Sequence, residues 1–168
     1  MRKWLPLVLL VAACTDPGTS KPDASRLFVA TTDAVVAAQA KAVTATQSAL
    51  TAPAVRNLDY IGPCSAEGSS EVRGTYDDAG TAAASTFELQ VTFTNCVDVT
   101  GNALNGSLHW SSNASSSGFA ATLTGSIDWS DHMNQASCDL DLHMAVSDST
   151  ILYAGTVCGY DVQADLHL

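Results

Sequence analysis

Leu104–Ser111 reads LNGSLHWS, and Leu123–Ser130 reads LTGSIDWS. The two stretches superimpose residue on residue: Leu104 on Leu123, Gly106 on Gly125, Leu108 on Ile127, Trp110 on Trp129. Within each, every second residue is apolar or glycine, with Asn105, Ser107 and His109, or Thr124 and Asp128, standing between them. A period of two belongs to a β-strand, whose side chains point alternately to opposite faces, whereas a helix repeats near 3.6. The near-duplicate therefore predicts two strands with one apolar face each.

The same alternation extends outward. Phe87, Leu89, Val91 and Phe93 alternate with polar residues in TFELQVTFTN, as do Leu140, Leu142, Met144 and Val146 in CDLDLHMAV. The intervening breaks, near residues 99–102, 112–118, 130–137 and 147–149, are short and polar. Links of that length join neighbouring antiparallel strands, which predicts a mainly β (α+β) fold with a curled meander of about six to seven strands over residues 53–168. One apolar face per strand implies a sheet that is wet on its other side.

Glycine falls in the apolar phase of both copies, and again in weaker echoes at Val72–Tyr76 and Tyr153–Val157. Folding the two copies together about residues 115 and 116 would set Gly106 across from Gly125. Such a row of small residues would let the sheet curl or let a helix lie close. Trp110 and Trp129 share the core phase. A rival reading makes them a stacking platform for a carbohydrate or peptide, which requires both rings to be exposed. The segment after Ile151 is ambiguous: placing Cys138 opposite Cys158 leaves Ile151 and Tyr153 on the polar side. Either both faces are partly buried there or a bulge near Gly155 shifts the phase. Gly159-Tyr160 reads equally as a tight turn or as a kink.

Ahead of the strands, residues 24–52 are rich in alanine and carry Phe28, Val35, Val36, Val43 and Leu50 at steps of seven or eight, the stripe of an amphipathic helix. Asp23 or Ser25 would cap it, and Pro53 would end it. The stripe is expected to pack on the sheet, ahead of a rival role as an oligomerising coil. Residues 14–23 contain TDPGTSKPD and read as a flexible tether, so that residues 24–168 form one folding unit.

The first residues, MRKWLPLVLLVAAC, combine Arg2 and Lys3 with an apolar run from Trp4 to Ala13. That run is too short to span a bilayer and matches a secretory signal over residues 1–13. Val11-Ala12-Ala13-Cys14 resembles the lipobox of bacterial lipoproteins. The resemblance implies that Cys14 is acylated (the palmitate type of modification), becomes the mature N-terminus, and holds the chain on the cell envelope. Thr15 in place of the aspartate that retains such proteins in the inner membrane implies the outer one. The domain behind it is similar in pattern (NC, LNGSL, VCGYDV) to β-rich envelope lipoproteins for which no activity carries over.

Loss of Arg2 and Lys3 takes the formal net charge from −10 to −12. That balance speaks against nucleic acid and against electrostatic adhesion to anionic lipid, both of which need basic patches. The four cysteines after Cys14 are expected to form disulfides in an oxidising compartment, paired Cys64–Cys96 about a turn near residue 80 and Cys138–Cys158 about one near residue 148, each across its own hairpin. Zinc is the rival for those thiols, without any CxxC spacing to support it.

Two Asp-Leu-His tripeptides, Asp141–His143 and Asp165–His167, place a carboxylate and an imidazole on one face of a strand, a half-site suited to zinc or copper. A metal module using Asp141, His143, Asp165 and His167 is therefore an alternative. No cofactor motif stands out, and no GxSxG elbow accompanies the many serines, so the chain is not expected to be an enzyme. The leading expectation is a lipid-anchored envelope protein with a structural or binding role, its protein or glycan partner unspecified.

Overall fold

The computed structural model describes residues 19–47, 55–78, 85–115, 118–147 and 150–167. One helix, α1 (Lys21–Gln47), precedes eight strands: β1 (Val55–Pro63), β2 (Glu67–Asp78), β3 (Ser85–Val97), β4 (Ala103–Ser115), β5 (Gly118–Ser130), β6 (Gln135–Ser147), β7 (Thr150–Val157) and β8 (Tyr160–His167). They form one antiparallel sheet whose spatial order is the chain order, β1 to β8. The expected meander is present, with one strand more than its upper count. The connections 64–66, 98–102, 131–134 and 158–159 all lie at one end of the sheet, here called the bridged end because both disulfides sit there.

Rows of inward residues cross the whole sheet. One runs Leu58, Gly74, Leu89, Trp110, Leu123, Leu142, Gly155, Val162, and the next Tyr60, Val72, Val91, Leu108, Gly125, Leu140, Val157, Tyr160. The duplicated strands pair two residues away from the expected register: Gly106 faces Ile127, and Gly125 faces Leu108. The strands are longer than their apolar cores, and their pairing centres the hairpin one residue later than expected. Each glycine is thus set beside a large side chain instead of another glycine. At Gly125, φ is +138°, and an added Cβ would lie 2.4 Å from the Ser107 carbonyl oxygen. At Gly74, φ is +146°, with the Glu88 carbonyl oxygen at 1.9 Å. Neighbouring backbones approach too closely at these points for any side chain.

The C-terminal ambiguity resolves as a register one residue from that expected. Leu142 pairs with Gly155 and Met144 with Tyr153, which turns Tyr153 and Val157 inward and leaves Leu152 outside. Cys158 and Gly159 form the turn to β8, with φ of +53° and +75°. Positive φ at both central residues is the type I′ pattern that suits the twist of a hairpin. Cys158, carried into the turn, comes within 4.6 Å of Cys138 by Cα and bonds to it.

A second phase change occurs in β3. Phe93 pairs with Gly106 but Cys96 with Leu104, so one extra residue is accommodated around Asn95, at φ +45°. This bulge brings Cys96, out of phase with Phe93 in sequence, back to the core side. The Asn95 amide donates to Asn105 Oδ1 at 2.7 Å. Gly68 lies beneath it, where an added Cβ would meet the Asn95 carbonyl oxygen at 1.8 Å. Cys96 bonds to Cys64, so both expected pairings are present. Cys64 lies in the β1–β2 connection, so this bridge also fixes β1 at the open end of the β2–β3 hairpin.

The helix begins at Lys21, three residues before the expected start. Ser20 Oγ accepts the Asp23 amide at 3.3 Å and donates to the Asp23 carboxylate, so Ser20 caps the helix N-terminus. Thr19 is also part of the fold: its carbonyl oxygen accepts the Tyr160 hydroxyl at 2.9 Å. Residues 19–23 of the expected tether therefore belong to the domain; its earlier residues, and the expected helix end at residues 48–52, lie outside the described residues. The buried seam is Ala24, Leu27, Thr31, Val35, Ala38 and Ala42, a 3–4 spacing made largely of small residues. Val36, expected in the stripe, is exposed. The helix touches β1 and β2 as well as β6 and β7, so the sheet curls to bring both ends of its order to one helix. Phe28 meets Tyr153 edge to face at 6.2 Å.

Replacing Gly125 by alanine is expected to cost of order 1–3 kcal/mol from backbone strain alone, with the Ser107 clash added. Removing the Cys138–Cys158 bridge should cost about 3 kcal/mol on the loop-entropy account. Urea unfolding of each variant, followed by tryptophan emission, measures both.

Candidate functional site

The outward face carries the polar half of each alternation. Glu88, Ser111, Thr122, His143 and Ala154 align across β3 to β7 in one register row. Ser111, Ala120, Thr122, Ala145 and Ala154 are small. Together with Glu88, His143 and Leu152 they line an open trough of about 700 Å³. Its volume lies in the range of ligand sites, but it is open, which suits an extended polar chain better than an enclosed small molecule. Glu88 Oε1 lies 2.8 Å from His109 Nε2, and Asp141 Oδ1 lies 3.6 Å from His143 Nε2. The Ser111 and Thr122 hydroxyls bond to each other at 2.6 Å, and Ser126 donates to Asp139. An exposed strand face of this kind is held in place by cross-strand pairs.

The two Asp-Leu-His tripeptides lie on β6 and β8, with β7 between them. His143 aligns with Ala154 and through it with Gln163; Asp165 aligns with Leu152 and Ala145. Two strand spacings of about 4.8 Å and two residue steps of about 3.3 Å set the backbones of His143 and Asp165 about 12 Å apart. His167, level with Thr150 and Ser147, is farther still from His143. Metal–nitrogen bonds run near 2 Å, so this register does not gather the four residues around one ion. Among the described residues there is no group of three or more His, Cys, Asp or Glu able to hold a metal.

The tryptophans do not form an exposed platform. Trp129 is 2% exposed, and its Nε1 donates to Asn102 Oδ1 at 3.0 Å. Trp110 is half-buried and lines a cavity of about 50 Å³ between the helix and the sheet, together with Phe28, Val35, Leu123, Leu142 and Tyr153. A cavity that holds benzene is about 150 Å³, so this gap is a packing space between helix and sheet.

Two aspartates that sequence reading passed over organise the bridged end. Asp98 accepts the amides of Thr100 and Asn102 at 2.8 and 2.9 Å, and the Asn102 side-chain amide at 2.8 Å. Asp131 accepts the amides of Met133 and Asn134, each at 2.7 Å. The signal was present in Asp98-Val-Thr-Gly-Asn102 and Asp131-His-Met-Asn134, where an aspartate opens a turn and bonds the backbone two residues on. Burial raises the Asp98 pKa, but hydrogen bonds from Asn102 and Thr100 outweigh it, and the carboxyl sits below its ordinary value of 3.8. Asp131 also sits below 3.8, held first by the Met133 amide and then by the Asn134 side chain.

Both carboxyls are depressed in the folded chain, so the stability they contribute is present above the ordinary aspartate range. It is lost as pH falls through the folded values. Acid unfolding should therefore steepen below about pH 4. Asp98→Asn should be less stable at pH 7 and show a shallower acid limb, as measured by urea midpoints at pH 7, 4 and 2.5. In zinc titrations, His143→Ala and His167→Ala should act independently of each other, since the register separates their strands.

No protein-family model matches the chain, and comparison with curated proteins and with solved structures finds no match either.

Proposed function

We propose that this chain is a lipid-anchored protein of the bacterial cell envelope, acylated at Cys14, with a non-enzymatic structural or binding role at the outer membrane. The observation that carries the reading is the order of features at the N-terminus: basic residues, an apolar run, then Val11-Ala12-Ala13-Cys14. Cysteine usage supports it. The chain has five cysteines, and Cys64, Cys96, Cys138 and Cys158 bond among themselves, which leaves Cys14 as the fifth. Disulfides persist in exported proteins and are rare in reducing compartments. Each buried methylene of an acyl chain contributes roughly 0.8 kcal/mol, so two or more chains hold stably where one does not. No helix among the described residues is long and apolar enough to cross a membrane.

A second reading, that the domain presents a binding face to an extended polar partner such as a glycan or peptide strand, is favoured by the trough that Glu88 and His143 help to line. Its small residues leave the Ser111 and Thr122 hydroxyls open to the trough, and Glu88 and His143 add side-chain hydrogen-bonding groups. Glu88→Ala and His143→Ala would weaken retention on polymeric cell-wall glycan if the trough is used, and leave it unchanged if not.

In cell fractionation, the wild-type chain should partition with membranes and label with a palmitate analogue. Cys14→Ala should lose the label and leave the membrane fraction. Unchanged partitioning of that variant would remove the anchor from the account.

A further inference from the structure

We propose that the bridged end of the sheet is a membrane-docking surface, seating the turn tips at Val99 and Met133 in the lipid interface. The inference rests on the anchored reading above and adds an orientation to it.

Val99 and Met133 are 80% and 89% exposed, the most exposed of the large apolar residues described. Each projects from a turn whose opening aspartate is tied back to the turn's own amides. Asp98 is occupied by Thr100 and Asn102, and Asp131 by Met133 and Asn134. The apolar side chain therefore points outward while the carboxylate is tied back. The two turns also touch. A Cβ added at Gly101 would lie 2.7 Å from His132 Nε2, and Asn102 accepts the indole N–H of Trp129. Arg26, in the second turn of α1, reaches Asp131 at 3.8 Å, which fixes this end to the helix. Val99 and Met133 thus belong to one braced surface.

The position of the chain's entry supplies the occupant. Thr19 is held at this same end by Tyr160, the first residue after the Cys158–Gly159 turn. Cys14 precedes Thr19 by five residues, a reach of about 17 Å at full extension. The far end of a thirteen-residue strand such as β5 stands about 43 Å away along the strand. Acyl chains on Cys14 therefore hold the bridged end at the bilayer and keep the far end away from it. The contact is apolar in kind. The mature chain is strongly acidic, so attraction to anionic headgroups does not drive it, and a zwitterionic surface suffices.

The test is tryptophan quenching on the full acylated chain, in phosphatidylcholine vesicles with brominated acyl chains. Met133→Trp reports the tip, Val99→Trp is an independent second probe, and Leu152→Trp reports the outer face away from the bridged end. After subtraction of the wild-type emission, both tip variants should be quenched at least about twofold relative to unbrominated vesicles, as expected for groups seated at the headgroup–acyl boundary. Leu152→Trp should be unchanged. Equal quenching at all three positions, or none, while the wild type still floats with the vesicles, overturns the orientation and leaves the anchor standing. A blue shift without quenching that grows with protein density would assign the patch to a second copy of the chain and overturn the proposal. Failure of the wild-type chain to float would overturn both readings.

Discussion

The structure turns on a covering requirement. An eight-stranded antiparallel sheet has one strongly apolar face, and the described residues supply one helix to cover it. A single helix is too narrow for a flat sheet of that width, since strands stand about 4.8 Å apart and a helix is about 10 Å across. The solution is curvature. Gly74, Gly106, Gly125 and Gly155 let neighbouring strand backbones close up, and the alanine seam of α1 lets the helix sit close to the sheet. Small residues on both partners allow the larger ones, Leu27, Val35, Leu89 and Leu108, to be fully buried between the layers.

Most of this was legible in the alternation alone. Phe87 to Phe93, Leu104 to Trp110 and Leu140 to Val146 point where their phase puts them, because a buried sheet face penalises every residue of a slipped strand at once. Registers that depended on turn position were less legible. The β4–β5 pairing missed by two residues because Ser112–Ser115 joins the strand despite having no apolar alternation. The β6–β7 pairing differs by one from the alternation because Cys158 occupies a turn with positive φ, uncommon for any residue but glycine, and not a strand position. The bulge at Asn95 has no clear signature beyond a cysteine in the wrong phase. The helix starts at Lys21, ahead of the alanine-rich run, because proline is tolerated in the first turn of a helix.

The candidate site divides along the same line. Sequence phase sent Asp141, His143, Glu88 and His109 to the outer face, and they are found there. Phase could not say how far apart β6 and β8 residues would lie, since that is a matter of strand order and offset, and the answer separates the two Asp-Leu-His pairs. Nor could it say that Trp129 would have its N–H satisfied by Asn102, which ties an aromatic core residue to a polar turn. The same contact makes the Asp98 turn a structural support as well as a surface loop.

The identity of strand order and chain order has a kinetic side. Every sheet contact joins a strand to the next one in sequence, so hairpins can form locally and zip onto their neighbours without long loop closures. The helix is the exception, for it must meet β1 and β2 close by and β6 and β7 from the far half of the chain. Docking of α1 on β6 and β7 is thus the step that waits for the sheet to be nearly complete. Until then the apolar face stays open and liable to associate with other chains, which makes the helix the last element to close the fold and the first whose loss would expose it.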